Sequence, residues 1–258
     1  MRLSVIIPVY NELSTLALLL LSVARALPAV EKEIVIVDDG SSDGSREWLD
    51  ATFPGGEWTG APGADDGAHS FTPGPAIEGK PAMTVRTINH DRNRGKGASV
   101  RTGLAAATGD VFVIQDADLE YDPQDWQMMY ELIAIRKVAD VVYGSRFFGK
   151  PHRSLYFHHY VANRLISILF NALYNQTLSD IEVCYKMFTR AVRESIDLSC
   201  DDFGVEIQFS AQVALARHWR IYETGIAYYG RTYNEGKKIN WKDGLKALWY
   251  ILKFRVAR

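Results

Sequence analysis

Two runs of β-branched residues constrain this chain more than any other feature. "LSVIIPVYNE" (residues 3–12) and "EIVIVDDGSSDGS" (residues 33–45) are nearly continuous in Val and Ile, and both stop abruptly in carboxylates and small turn formers. Apolar runs of that length and texture predict short strands buried on both faces, at 3–9 and 33–38. Between them, "ELSTLALLLLSVARAL" has helical length and a strongly apolar face. Strand, helix and strand at this spacing form a βαβ unit, which requires a parallel sheet.

The pattern then repeats. "GKGASVRTGLAAAT" reads as a helix and "GDVFVIQDAD" as a strand, followed by a helix near 123–137 and the strand "ADVVYGS" at 139–145. The expected fold class is α/β, a central and mostly parallel sheet flanked by helices. From Phe53 to about Ala82 the texture changes to Gly, Pro, Ala and Asp without a sustained period. This segment reads as a long, exposed and flexible insertion at 54–82, ahead of a strand at 83–88.

The charge is uneven. Residues 231–258 hold eight Lys and Arg against Glu235 and Asp243, a net of +6, so a chain of net charge −2 carries −8 elsewhere. An overall negative charge gives no global pull toward nucleic acid, whereas the basic tail suits an anionic ligand or surface. Cys184 and Cys200 lack metal-binding spacing and are expected to be reduced, cytosolic thiols. The chain opens directly on a strand, and no apolar run has the length of a membrane span, so neither a signal peptide nor a transmembrane helix is expected. Leu155–Tyr174 reads as a helix that is either core or laid in a membrane plane. The last helix, "WKDGLKALWYILKFRVAR", sets aromatics among lysines, which fits a bilayer interface or a docked helix with a solvated basic face.

Open parallel sheets bind ligands beyond the carboxyl ends of their strands. Three strands here end in polar clusters, "PVYNE", "DDGSSDGS" and "QDADLEYD", and these are expected to converge on one rim. Carboxylates crowded there repel one another unless a cation offsets them. Asp116 and Asp118 of "DAD" point the same way if the segment is extended, and Glu120 follows closely. Hard cations such as Mg²⁺ or Mn²⁺ suit such oxygens and leave positions for phosphates. The segment "NRGKGAS" is not a P-loop, and no G-x-G-x-x-G follows the first strand, which argues against a dinucleotide site. Lys96 and nearby backbone N–H groups could meet an anion at a helix start, or Lys96 could simply be solvated.

Taken in order, "SVIIPVYNE", "IVIVDDGSSDGS", "NRGKGASVRTG", "GDVFVIQDADLEYDP" and "VVYGSRF" resemble family 2 glycosyltransferases. The tail "YGRTYNEGKKINWKDGLKALWYILKFR" is similar to dolichol-phosphate mannose synthases and their bacterial polyprenyl-phosphate relatives. The resemblance covers nearly the whole chain outside the insertion. It implies a GT-A (Rossmann-like) fold, with one domain at 1–230 made of a nucleotide-binding half (1–150) and an acceptor half (151–230). A basic lid and amphipathic C-terminal helix would follow at 231–258. It implies a nucleotide-sugar donor (GDP-mannose, UDP-glucose or UDP-GlcNAc), Mg²⁺ or Mn²⁺, inversion at the anomeric carbon and a polyprenyl phosphate acceptor. The expected location is the cytoplasmic face of a membrane, bound peripherally or through a separate membrane subunit.

By the same resemblance, Pro8, Tyr10, Glu12 and Asp39 surround base and ribose, Asp116 and Ala117 lie near the donor, and Asp118 binds the metal. The resemblance places a Gln where Glu120 stands, a more charged second ligand for the metal. Arg231 and Lys237 would close over the diphosphate from a loop bracketed by Gly230 and Gly236. Arg146 and Arg164 match positions that grip a lipid phosphate, for which the planar fork of Arg is suited. The run "SDIEVCYKMF" departs from the family pattern. There Asp180 would be general base toward a hydroxyl acceptor, a soluble or protein-linked glycan, or would orient Lys186 or Arg164. A nucleotide-sugar-binding subunit without turnover is the third possibility, and the intact "DAD" counts against it.

Overall fold

A computed structural model describes residues 1–62, 71–79, 81–154, 156–232, 235 and 241–256. The strands are β1 (Leu3–Val9), β2 (Lys32–Asp38), β3 (Glu57–Pro62), β4 (Pro73–Gly74), β5 (Met83–Asn89), β6 (Val111–Ile114), β7 (Val141–Ser145), β8 (Lys186–Thr189) and β9 (Ile221–Gly225). The α-helices are α1 (Leu13–Arg25), α2 (Ser45–Thr52), α3 (Lys96–Ala106), α4 (Trp126–Tyr130), α5 (Phe157–Tyr174), α6 (Arg190–Ser195), α7 (Gly204–Ala216) and α8 (Trp241–Val256). One sheet runs β4-β3-β5-β2-β1-β6-β8-β7-β9.

The four strands β5, β2, β1 and β6 are parallel, as the βαβ spacing requires. Every residue of β2 is buried, and all of β1 except Pro8, so both strands are covered on both faces. β8 then enters antiparallel between β6 and β7, and β9 pairs parallel with β7. Neither β8 nor β9 was anticipated from the sequence. The helix expected near 123–137 is three short pieces: a 3₁₀ turn at Pro123–Asp125, α4, and a π-turn at Glu131–Ile135.

The reading of 54–82 as an irregular excursion needs correction. Residues 57–60 of β3 pair antiparallel with β5, and Ala61 and Pro62 pair with β4. Trp58 and Phe71 pack around buried Phe53 in tilted and edge-to-face contacts at ring distances of 5.9 to 6.2 Å, closing a small apolar cluster under the added edge. These aromatics give the described strand β3 an apolar contact that the Gly- and Pro-rich composition does not announce. Residues 63–70 and 80 lie outside the described ones.

Lys32 opens β2 fully inside the molecule. Its ammonium donates to the carbonyls of Ala26 (2.6 Å) and Leu27 (3.2 Å), which follow the end of α1. Burial lowers its pKa to about 8. The turn after α1 is thus tied to the start of β2 by a charged group.

Candidate active site

The polar loop after β2 is mainly a scaffold. Ser41, Asp43 and Ser45 accept hydrogen bonds from the backbone N–H groups of Asn11, Leu13 and Glu12 at the start of α1. Asp38 is held by Arg46 at 2.6 Å. Asp39 is almost fully buried; its Oδ1 meets His90 Nδ1 (2.7 Å) and accepts from Arg94 N–H (2.9 Å), while Oδ2 accepts from Gly95 N–H (2.8 Å). Both oxygens are therefore engaged in fixing the loop at 90–95. Pro8 sits within β1, and Tyr10, just past its end, is 37% exposed at the rim.

The strand ends do converge. The Thr15 hydroxyl donates to the Ala117 carbonyl at 2.7 Å, joining the first turn of α1 to the "DAD" segment. That segment is not extended: β6 ends at Ile114, and Ala117 and Asp118 lie in a turn. The two aspartates consequently meet different cations. Asp116 pairs with Lys96 at 2.6 Å and Asp118 with Arg231 at 3.0 Å.

Arg231 gathers the rim together. Its guanidinium also lies 3.4 Å from Glu12 and 3.5 Å from Glu120. Three carboxylates thus share one guanidinium. Burial, then the neighbouring charges of Asp116 and Glu120, push the Asp118 carboxyl up to about 7, against the pull of Arg231. Glu120 is tied further: it accepts from Arg231 N–H (2.7 Å) and Tyr228 hydroxyl (2.9 Å), and its carbonyl accepts from Tyr229 N–H (2.9 Å). It anchors the segment after β9 to the turn after β6. Among the described residues no three His, Cys, Asp or Glu side chains are grouped to hold a metal ion. Asp118 and Glu120 both face the Arg231 guanidinium, and Lys237 and Gly236 lie outside the described residues.

Lys96 is neither solvated nor free for an anion at the start of α3. The helix N–H groups of Gly97 and Ala98 donate to the Asp201 carbonyl, and a Cβ on Gly97 would stand 2.2 Å from the Cys200 carbonyl oxygen. Close packing, not phosphate binding, requires glycine there. The Lys96 ammonium lies between Asp116, Cys184 Sγ (2.9 Å) and Glu206 (3.4 Å). Burial works against its charge, but the Asp116 carboxylate and its neighbours hold the ammonium well above its ordinary pKa. Behind it, fully buried Lys186 pairs with Glu206 at 2.5 Å. Two lysines and two carboxylates alternate from α7 to the "DAD" turn.

A second cluster adjoins the first. Arg146 forks onto Asp180 with two bonds of 2.7 Å, and Asp180 is fully buried. Asp180 therefore orients Arg146, rather than Lys186 or Arg164, and is not placed as a general base. Arg164 donates to the Ser179 carbonyl at 3.0 Å and lies over Phe147. Among the described residues it has no carboxylate partner, so the rival ion-pair explanation is not realised. Tyr228 bridges the clusters: its hydroxyl holds Glu120 while Arg146 lies over its ring at 5.3 Å.

Sequence reasoning missed Tyr228, Glu206 and Cys184. Each lies outside the acidic motifs, and only the pairing of β8 and the packing of α7 bring the latter two to the rim.

Residues 4–58 and 76–197 match the family described as Glycosyl transferase family 2, and the chain belongs to that family. A dolichol-phosphate mannosyltransferase of Pyrococcus furiosus is 33% identical over 57% of this chain and 34% of its own length. An undecaprenyl-phosphate 4-deoxy-4-formamido-L-arabinose transferase of Proteus mirabilis is 25% identical over 92% of this chain and 62% of its own. The chain thus spans between one third and just over three fifths of these two relatives. The fold is shared with glucosyl-3-phosphoglycerate synthase of Mycobacterium tuberculosis, solved with Mn²⁺, UDP and phosphoglyceric acid. That match has a TM-score of 0.67 at 17% identity and covers 100% of this chain and 79% of the other. The mixed sheet with flanking helices is a GT-A-like fold.

Proposed function

We propose that this protein transfers a sugar from a nucleotide-sugar donor to a polyprenyl phosphate at a membrane surface. The observation that carries the reading is the Tyr228 bridge. An anionic rim suited to a donor and a pair of arginines suited to a phosphate stand on either side of one side chain. The two relatives named for lipid-phosphate transfer support the acceptor class.

Asp118 and Glu120 already face a cation, the Arg231 guanidinium, and two carboxylates suit a hard divalent ion whose remaining positions are filled by substrate phosphates. Asp118, with Glu120 beside it, would hold Mg²⁺ or Mn²⁺, which supplies Lewis-acid stabilisation to the leaving diphosphate. Pro8, Tyr10 and Ala117 form the floor on which base and ribose rest, while Asp39 acts through the loop at 90–95 that it fixes. Arg231 turns from its carboxylates to the diphosphate, where charge develops as the bond to C1 breaks. Arg164, with Arg146 locked by Asp180, holds the acceptor phosphate for in-line attack, and the sugar inverts. A phosphate monoester is largely ionised at neutral pH, its second pKa being about 6, so no base is needed.

Two packed helices support the membrane setting. α5 leaves Phe157, Leu165 and Ile168 exposed on one face, and α8 leaves Leu245, Trp249, Leu252 and Val256. They are joined by bonds from Tyr174 to the Ile251 carbonyl and from Arg255 to the Leu173 carbonyl. No helix among the described residues is long and apolar enough to cross a membrane. Apolar stripes flanked by Lys246 and Lys253 suit peripheral binding. The cytoplasmic leaflet, with its anionic lipids, is the side proposed.

A hydroxyl acceptor would need a base. With Asp180 committed to Arg146, Glu182, which burial pushes up to about 7, is the carboxyl left for that task. The deciding experiment offers labelled GDP-mannose, UDP-glucose and UDP-GlcNAc with Mg²⁺ or Mn²⁺, with and without a short polyprenyl phosphate. Label in the lipid from one donor, lost in Asp118→Ala and Arg164→Ala, is expected. Label passing only to a hydroxyl acceptor, and lost in Glu182→Gln, would replace the lipid-phosphate reading.

A further inference from the structure

The guanidinium of Arg231 stands among the carboxylates of Asp118, Glu12 and Glu120. It sits 3.0 Å from Asp118 and 3.4 Å from Glu12, with Glu120 at 3.5 Å. The chain on which it stands is not loosely placed. Glu120 accepts from its backbone N–H at 2.7 Å, and the same carboxylate and its carbonyl hold Tyr228 and Tyr229. Because the root of the side chain is pinned, its charge is delivered to the carboxylates without any help from a ligand.

We propose that Arg231 is the resting cation of this site and bars a free divalent ion, so that metal enters only together with a nucleotide diphosphate. This inference rests on the reading of the rim as a metal-dependent donor site. Arg231 pairs with all three of these carboxylates. A divalent ion arriving alone must take the carboxylates from Arg231 while offering its guanidinium, rooted at the rim and only 21% exposed, no new anionic partner. An ion arriving with a diphosphate brings two anionic groups to which the guanidinium forks equally well. The exchange is then one of partners: carboxylates pass from arginine to metal, and arginine passes from carboxylates to phosphate. Metal binding and nucleotide binding are coupled, and the coupling runs through one side chain.

The scheme gives Glu120 a second role. It is a positioning residue for Arg231 through backbone contacts that can persist while the side chain turns. The movement is confined to the guanidinium and its methylenes, a rotamer change rather than the opening of a loop.

The test is Mn²⁺ binding, followed by electron paramagnetic resonance of the free ion, to the whole chain, its Arg231→Ala variant and its Arg231→Lys variant. Each is measured alone and with excess UDP or GDP. Arg231→Ala is expected to bind Mn²⁺ alone about tenfold or more tightly than the unaltered chain, within the usual range for coupled sites. Arg231→Lys should lie between them. In the unaltered chain the nucleotide should tighten Mn²⁺ binding by a comparable factor, and in Arg231→Ala by less. A thermal readout separates this from a structural role. Arg231→Ala should melt lower without metal, and Mn²⁺ should raise its Tm more than that of the unaltered chain. Equal or weaker Mn²⁺ binding by folded Arg231→Ala, with nucleotide-dependent binding intact in the unaltered chain, overturns the proposal and leaves the donor site standing. Failure of every form to bind Mn²⁺, with or without nucleotide, overturns both.

Discussion

Asp180 and Arg146 face each other through two bonds of 2.7 Å, and the Arg146 backbone N–H adds a third at 3.1 Å to the same carboxylate. The carboxylate has no exposure and the guanidinium side chain is 13% exposed. Removing one partner strands the other in a low-dielectric site. Arg146→Ala should therefore cost about 3–5 kcal/mol of stability, whereas Arg146→Met with Asp180→Asn should cost less than Arg146→Ala alone. Urea unfolding of the single and double variants measures the difference. A double variant as unstable as the sum of its parts would show that the pair is not coupled.

Tyr228 connects Glu120 and Arg146, proposed for the donor and acceptor sides, through one hydroxyl and one ring face. Tyr228→Phe keeps the ring under Arg146 and removes the bond to Glu120. The expected loss of stability is small, about 1 kcal/mol. The expected loss of kcat/KM for the donor is larger, about tenfold, because the anchor of Arg231 loosens where charge develops. Tyr228→Ala, which also removes the ring, should add a rise in the acceptor KM. Steady-state kinetics with each substrate varied in turn separates the two effects.

Glu182 gives the stability a pH signature. Burial raises its carboxyl from the usual 4.5 to about 7, with Arg146 opposing. Between those values the folded chain holds a proton that the unfolded chain has released, so this group makes stability fall as pH rises from 4.5 to 7. The full range corresponds to roughly 3 kcal/mol, reduced by partial solvent screening to about 2. Glu182→Gln should flatten that part of the profile, read as Tm against pH without metal. An unchanged slope would mean that Glu182 is ionised throughout.

The centre of the fold was legible because β1 and β2 are buried on both faces, and burial on both faces writes itself as unbroken Val and Ile. β8 is equally buried, but it begins at Lys186 and is only four residues long, so its composition announces nothing. The rim was legible as a place and less so as a set of contacts. Thr15, Ala117 and Glu12 come together as the strand order requires, yet the partner of Asp180 could not be chosen from spacing: Lys186 and Arg164 are both nearer in sequence than Arg146. Glu206 stands on α7, ninety residues from the "DAD" turn that it backs, and nothing local marks a glutamate as the one that will be buried. Asp39 shows the opposite limit, a motif residue whose two oxygens serve the loop beside it.

The exposed stripes of α5 and α8 lead to a prediction about where the protein works. Phe157 is 78% exposed, and Leu165, Ile168, Leu245, Trp249 and Leu252 are each more than half exposed. Burying one such side chain in the acyl boundary is worth about 1.5–3 kcal/mol, so a single charged replacement removes at least about a tenfold factor in partitioning. Trp249→Glu and Ile168→Glu, both on the outer faces, should leave Tm nearly unchanged. Each should lower binding to vesicles containing anionic lipid by about tenfold or more, with the double variant reduced roughly by the product. Lys253, whose ammonium lies 4.7 Å from the Trp249 ring, adds a salt-dependent part: Lys253→Gln should weaken binding at low salt and matter little at high salt. Co-sedimentation with vesicles reads all of these. On the proposed reading, in which the stripe would present the lipid and Arg146 and Arg164 would hold its phosphate, transfer to a short, water-soluble polyprenyl phosphate should survive in Trp249→Glu. Loss of that soluble activity together with vesicle binding would place Trp249 in the acceptor site itself.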